Sequence, residues 1–303
     1  MPELPDISVY VERLDAHVRG RPLRGIRLGN PFLLRSVVPP LPEAFGREVV
    51  GVERLGKRVV LALDGALFLV IHLMIAGRLR WRPADAKLPG RVGMAAFDFP
   101  NGTVVLTEAG TKRRASLHVV AGRDGLAAFD RGGLDVFAAS PAAFAERLRA
   151  ERHTLKRSLT DPRILDGIGN AFSDEILHAA RLSPLRMSTA LTDDELSRLY
   201  QCCRDVLTQW TDTLRAEVGG GFPEEVTAFR PGMAVHGRYR QPCPVCGHPV
   251  QRIVHGEHET NYCASCQNEG RVLADRALSR LLHDDWPRTL EQMEALRPAG
   301  APS

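Results

Sequence analysis

The sequence predicts an α+β chain of several domains: an antiparallel β-sandwich with a leading helix, then a helical domain, then a small cysteine-bearing hairpin. Three observations predict it. Between Arg58 and Val120 the apolar residues fall in short β-rich runs broken by turn signals. Between Pro141 and Val218 Ala, Leu and charged residues recur at helical spacing. Near the end, CPVC and CASC stand sixteen residues apart.

The leading helix is expected to begin after Pro5-Asp6, with Asp6 as cap, Ile7, Val11, Leu14 and Val18 as its apolar face, and Gly20 as its stop. Pro2 and Glu3 then stand just outside a helix start. RVVLALD, LFLVIHLMI, MAAFDF, VVLTE and SLHVV read as strands, with Asn101-Gly102 as a hairpin signal, and this succession suggests an antiparallel sandwich or barrel. In the helical region Pro162 and Pro184 mark boundaries, and Gly219-Gly220-Gly221 forms a joint. After the hairpin come an amphipathic stretch (Val272, Leu273, Ala277, Leu278, Leu281, Leu282) and a polar, Pro-containing tail. There is no internal repeat. The expected division is 1–135 for the sandwich, 136–225 for the helical domain, 236–268 for the cysteine hairpin and 269–303 for a C-terminal helical extension and tail.

A formal net charge of +4 permits nucleic-acid binding if Arg and Lys gather on one face, and does not demand it. No leader is recognisable and no apolar run reaches the ~18 residues needed to span a bilayer, so the expectation is a cytoplasmic protein without membrane contact. Of six cysteines, Cys202 and Cys203 are neighbours in a helix-like stretch. The other four, Cys243, Cys246, Cys263 and Cys266, have the spacing of a metal site in a reducing compartment. Four thiolates give a closed tetrahedral zinc, structural rather than hydrolytic, and one such ion folds a hairpin too small to bury a core. Arg238, Arg240, Arg252 and His255 surround it, a composition compatible with nucleic acid.

The segment ILDGIGNAFSDEILHAARLSP, Ile164 to Pro184, places Gly167 and Gly169 between two helical stretches. Glycines allow a double turn with φ > 0, and Asn170 is expected to cap the next helix, exposing N–H groups where a phosphate oxygen can sit. By itself this reads more readily as an ordinary helix connection.

MPELPD at the start, LGK at Lys57, GIGNAFSDEIL, and the terminal CxxC…CxxCQ occur together and in this order. The chain thereby resembles the formamidopyrimidine-DNA glycosylase and endonuclease VIII family of bacterial repair enzymes over residues 1 to about 267. The resemblance implies a β-sandwich, a helix-two-turn-helix domain, one structural zinc in a hairpin, and damaged DNA as partner of a monomeric, nucleoid-associated enzyme. It implies a bifunctional glycosylase and abasic-site lyase. On the same resemblance Met1 is expected to be removed, with the Pro2 amine attacking the sugar C1′, Glu3 acting as the acid and Lys57 contacting phosphate near the lesion. A free α-amine has a reference pKa near ~8, so a useful fraction is neutral at physiological pH. His72, Arg113, Arg114, Lys156, Asn170, Arg238, Arg252 and His258 are the expected DNA contacts.

Three departures concern substrate. The family's Arg-Arg-Phe-Gly loop is replaced by Lys112, Arg113, Arg114, Ala115 and Ser116, without the aromatic wedge. Its void-filling methionine falls at Ile75, with Met74 one place earlier; in the hairpin its arginine is His258. A weaker wedge suits lesions already unstacked. Two other readings are an abasic-site or damaged-DNA binding protein without base excision, and an RNA-binding or transcriptional zinc ribbon. The latter leaves MPELPD without a purpose.

Overall fold

The computed structural model describes residues 1–110, 112–224, 226, 229–256, 258–274 and 286–295; the side chains of His255, His258 and Glu294 fall outside the description. The chain divides into two units, residues 1–132 with 208–228, and residues 133–207 with 229–303. In the first unit, helix α1 (Leu4–Val18) begins earlier than the Asp6 cap implies. Glu3 is the N-cap, and Asp6 sits three residues inside, accepting the Glu3 N–H at 2.8 Å. Pro5 is tolerated because the first turn of a helix needs no N–H donor from it. Ile7, Tyr10, Leu14 and Val18 are fully buried, while Val11 is only partly so.

Two four-stranded antiparallel sheets follow, built from β1 (Gly25–Leu28), β2 (Val49–Leu55), β3 (Arg58–Leu63), β4 (Leu67–His72), β5 (Gly77–Arg82), β6 (Gly93–Phe99), β7 (Gly102–Glu108) and β8 (Ser116–Ala121). Their orders are β1-β6-β7-β5 and β2-β3-β4-β8. In the second sheet the pleat sorts the apolar residues by parity. Val59, Leu61, Leu63, Leu67, Leu69 and Ile71 join the main core with α1, Phe97, Phe99, Val104 and Leu106. Val60, Ala62, Phe68 and Val70 point the other way, under Leu126 of the short helix α2 (Gly122–Ala127). Both faces are covered, which is why these strands read as continuous apolar runs rather than alternating ones.

Strands β1, β2 and β5 were absent from the sequence expectation. β5, GRLRWR, is a half-buried edge strand whose alternate arginines dilute the apolar signal. The run LFLVIHLMI is a strand only to His72, because the chain turns at Leu73, whose carbonyl accepts the Gly77 N–H at 2.9 Å. A Cβ on Gly77 would stand 2.2 Å from that oxygen, so the turn requires glycine. The hairpin near Asn101 closes through Pro100-Asn101, with Phe99 paired to Gly102, one residue before the expected turn. Gly102 is needed for another reason: a Cβ there would lie 2.1 Å from the Trp81 ring.

The second unit holds α3 (Pro141–Arg149), α4 (Leu155–Thr160), α5 (Asn170–Ala179), the hairpin β9 (Gln251–His255) and β10 (His258–Tyr262), and α7 (Ala264–Asn268); α6 (Asp193–Val218) runs through the division between units. α5 is buried on nearly all sides, from Ala171 to His178. The C-terminal extension packs back: Val272, Leu273 and Leu290 gather on Tyr262, and Leu273 N–H donates to the Tyr262 hydroxyl at 2.7 Å. Ala277, Leu278, Leu281 and Leu282 of the expected amphipathic stretch lie outside the described residues.

Candidate active site and metal centre

In the first unit the start of the chain is not a loose tail. Pro2 is buried, Glu3 is 2% exposed, and the Glu3 backbone is held by Asp6 and by the Ile7 N–H on its carbonyl. The Met1 amine has its pKa pulled below the ordinary value, first by burial. Glu3 and Asp6 oppose that shift, while Arg78 and Lys57 add to it. All four charged groups therefore act on the same end of the chain. Pro2, Glu3 and Lys57 come to one place, and Arg78, which the sequence reading did not single out, joins them.

Lys57 sits at the tip of the β2–β3 hairpin, where Leu55 pairs with Arg58 and Gly56 takes φ +63°. A two-residue turn of this kind needs a residue tolerant of positive φ, so LGK puts glycine before the lysine. His72 ends β4, paired with Arg58 on one side and Ser116 on the other. Burial pulls its pKa down to about 4, and Arg58, Lys57 and His118 push the same way. The ring is therefore neutral at pH 7, not a cation. An NMR titration is expected to place its midpoint near pH 4. Because the unfolded chain takes the proton first, this histidine removes stability as pH falls from 6.5 towards about 4. A midpoint near 6.5 would contradict the assignment.

The loop between β7 and β8 exposes Lys112, Arg113 and Arg114, while Ala115 is buried. Arg113 donates to the Arg91 carbonyl. The anchor is Glu108, 2% exposed, whose two carboxylate oxygens accept the N–H groups of Arg114 at 2.9 Å and Ala115 at 3.1 Å. Ile75, at the methionine position, is 59% exposed, and Met74 takes φ +52° in the turn.

In the second unit Gly167 is left-handed at φ +79°, as a tight turn requires, but Gly169 is extended and is itself the N-cap of α5. Asn170 is therefore the first helical residue rather than the cap, and its side-chain N–H donates to the Glu259 carbonyl at 2.8 Å. Lys156 reaches the Asn170 carbonyl at 2.7 Å and the buried Asp174 carboxylate at 2.5 Å. Its ammonium holds the helix start in place.

Asn170 opens a polar stripe along α5. Asp174 accepts from the Asn261 N–H at 3.1 Å and pairs with His236 Nδ1 at 2.8 Å. His178 Nε2 lies 3.3 Å from Cys243 Sγ, and the Leu182 carbonyl accepts from Gln267 at 2.9 Å. Positions 170, 174 and 178 follow the i, i+4 rule, with 182 just past the helix, so one face docks the whole hairpin. Glu175 caps the approach, accepting the N–H groups of Ala234, Val235 and His236. Burial pushes its pKa up, against those three donors. The sequence reading missed Asp174, Glu175, His178 and His236; for Asp174 and His178 the available signal was polar side chains four apart on an otherwise apolar helix.

The ligand atoms of Cys243, Cys246, Cys263 and Cys266 lie within 4.8 Å of one another. Cys243–Cys266 measures 3.9 Å and Cys246–Cys263 3.4 Å between sulfurs. A tetrahedral zinc with bonds of about 2.3 Å has sulfurs about 3.8 Å apart, so the cluster fits one ion. Arg238 donates to the Met233 and Pro242 carbonyls and to Gln241, which makes it a brace of its own loop. Arg252 stacks 4.3 Å from the Tyr239 ring centroid and pairs with Glu259 at 3.2 Å. The side chain of His258, an expected DNA contact, lies outside the described residues.

Three family descriptions match in order: the formamidopyrimidine-DNA glycosylase N-terminal domain over residues 1–115, the H2TH domain of the same enzyme over 135–216, and a zinc finger found in FPG and IleRS over 240–268. A formamidopyrimidine-DNA glycosylase of Thermus thermophilus is 33% identical over 286 residues, covering 89% of this chain and all of the relative. The crystal structure of the MutM (Fpg) protein from Thermus thermophilus superposes with a TM-score of 0.73 at 31% identity, over 89% of this chain and 100% of the other. Lactococcus lactis Fpg, solved with abasic-site DNA, has a TM-score of 0.76 at 20% identity over 88% and 99% of the two chains, a likeness of fold.

Proposed function

Because this chain belongs to the formamidopyrimidine-DNA glycosylase family, we propose that it excises a damaged base from DNA through the amine of Pro2 and then nicks the strand as an abasic-site lyase. It is a DNA glycosylase of base excision repair, with one structural zinc; the lyase step and the residue roles are what its likeness to that family implies, and the kind of lesion is inferred from where its residues depart from the family's. The observation that carries the inference is the buried Pro2-Glu3 start, with Lys57 and Arg78 acting on the same terminus.

After loss of Met1, the Pro2 nitrogen lone pair forms a bond to C1′, and the base leaves with the electrons of the glycosidic bond and takes up the proton that the amine gives off. Glu3 protonates the ring oxygen as the sugar opens, leaving a positively charged iminium. That cation acidifies the neighbouring C2′ protons. Loss of one expels the 3′ phosphate and breaks the strand. The reference α-amine pKa near ~8 leaves a useful fraction of such an amine neutral at physiological pH, the form with a lone pair to give. Lys57, projecting from a two-residue turn, supplies positive charge to phosphate beside the lesion, and neutral His72 a hydrogen bond.

In the helical unit, Asn170 and the hairpin hold the backbone of the DNA. Lys156 and Arg238 position those contacts through Asp174 and the 233–242 loop. The loop 112–114 meets the opposite strand with cations and no aromatic, which favours lesions that are already unstacked. The domains assigned are 1–135 catalytic, 136–225 helix-two-turn-helix, 236–268 zinc finger and 269–303 extension. The enzyme works as a monomer in the cytoplasm, associated with the nucleoid. Among the described residues no helix is long and apolar enough to cross a membrane.

Glu3→Gln tests the division of labour. Base release from a damaged oligonucleotide is expected to fall by about 10²–10⁴, the range of general acid catalysis, with a smaller loss in nicking of preformed abasic sites. Product gels on the two substrates measure both. Equal losses would exclude Glu3 as the acid of base release.

A further inference from the structure

We propose that His178 is an outer-sphere partner of the zinc, donating its Nε2–H to the Cys243 thiolate and so tying the metal centre to helix α5. The proposal rests on the four cysteines holding zinc. His178 is 6% exposed and Cys243 2%, and their Nε2 and Sγ atoms are 3.3 Å apart. Four thiolates around one divalent cation leave two negative charges in excess. Away from water that excess is costly unless N–H groups face the sulfurs.

The hairpin supplies most of these donors itself. The Cys266 N–H points at Cys263 Sγ from 3.4 Å, and His248 hydrogen-bonds Cys246 through both backbone and ring. For Cys243 the donor comes from outside the hairpin, 65 residues earlier in the chain. A thiolate only accepts, so the bond fixes the His178 proton on Nε2. Placed four residues after Asp174 and eight after Asn170, His178 completes the docking face of α5, and it is the member of that face that reaches the metal's own ligand. Loss of the ion is thereby felt at the same helix that carries Asn170, and a displaced helix is felt at the ion.

His178→Phe keeps a ring of similar volume and removes the donor, whereas His178→Gln keeps an N–H near the Nε2 position. In the full-length protein, zinc competition against a chromogenic chelator is expected to show affinity about 10- to 100-fold weaker in H178F, with H178Q restoring most of it. In the cobalt-substituted proteins the sulfur-to-cobalt charge-transfer band moves to longer wavelength in H178F, because a thiolate without its hydrogen bond gives up charge more easily. Wild-type affinity and an unmoved band in H178F would overturn the proposal, as would H178Q failing as badly as H178F. Wild-type protein purified without any zinc would overturn the premise instead, and metal analysis of that sample separates the two failures.

Discussion

Pro2→Gly is expected to lose base release and borohydride trapping together, each by about 100-fold or more, while zinc content and fold stay as in the wild type. Glycine still offers an amine. What it removes is the ring that is buried in the fold and sets the direction of the nitrogen. Misplacing a reacting atom by about 1 Å costs about 10²-fold, and glycine adds the backbone freedom that makes such misplacement the rule. Retained Met1 has the same consequence by another route, because it turns the Pro2 nitrogen into an amide without a usable lone pair. Denaturing gels after borohydride reduction, with mass spectrometry of the N-terminus, test both. Wild-type trapping by Pro2→Gly, or by protein that still carries Met1, would rule out this nitrogen as the nucleophile.

Removing the zinc, by exhaustive chelation or by Cys243→Ser, is expected to collapse the hairpin and the contacts that lean on it. Ions in such sites contribute roughly 10–16 kcal/mol to folding their own domains, more than a segment of this size gains from burial. Hydrogen exchange reads the loss directly. The amides of Val235, His236 and Asn261 are held by Glu175 and Asp174, and that of Gly237 by the Asn261 side chain, so all four should become exchangeable. DNA affinity, followed by gel shift, falls with them, because Asn170 loses its partner carbonyl at Glu259. Protection and DNA affinity unchanged in zinc-free protein would mean that the hairpin stands without its metal.

The parts of this fold that announce themselves in the residues are those set by local rules. Four cysteines at fixed spacing, a glycine before Lys57, and strands β3 and β4 are of this kind, and each reading follows from geometry within a few residues. Elements whose role depends on distant partners were not legible. Asp6 reads as a cap, because an acidic residue before an apolar run usually is one, yet Pro5 suits the first turn and moves the start back to Leu4. Asn170 reads as a cap for the same reason, but its side chain is drawn to a strand 89 residues away. Arg238 and Lys156 look like cations for a polyanion; both also donate to protein oxygens, which no spacing rule reveals. Arg78 lies on an edge strand missed because its neighbours alternate arginine with apolar residues. Its influence on the terminus follows from tertiary placement alone.

Among the described residues the Glu108 carboxylate grips two main-chain amides, and every residue type but proline has one to offer. Arg113 adds a side-chain bond to the Arg91 carbonyl, but the grip on residues 114 and 115 is indifferent to the letters it holds. A substitution at position 114 therefore leaves that anchor in place, whatever its charge, so long as the newcomer is not proline.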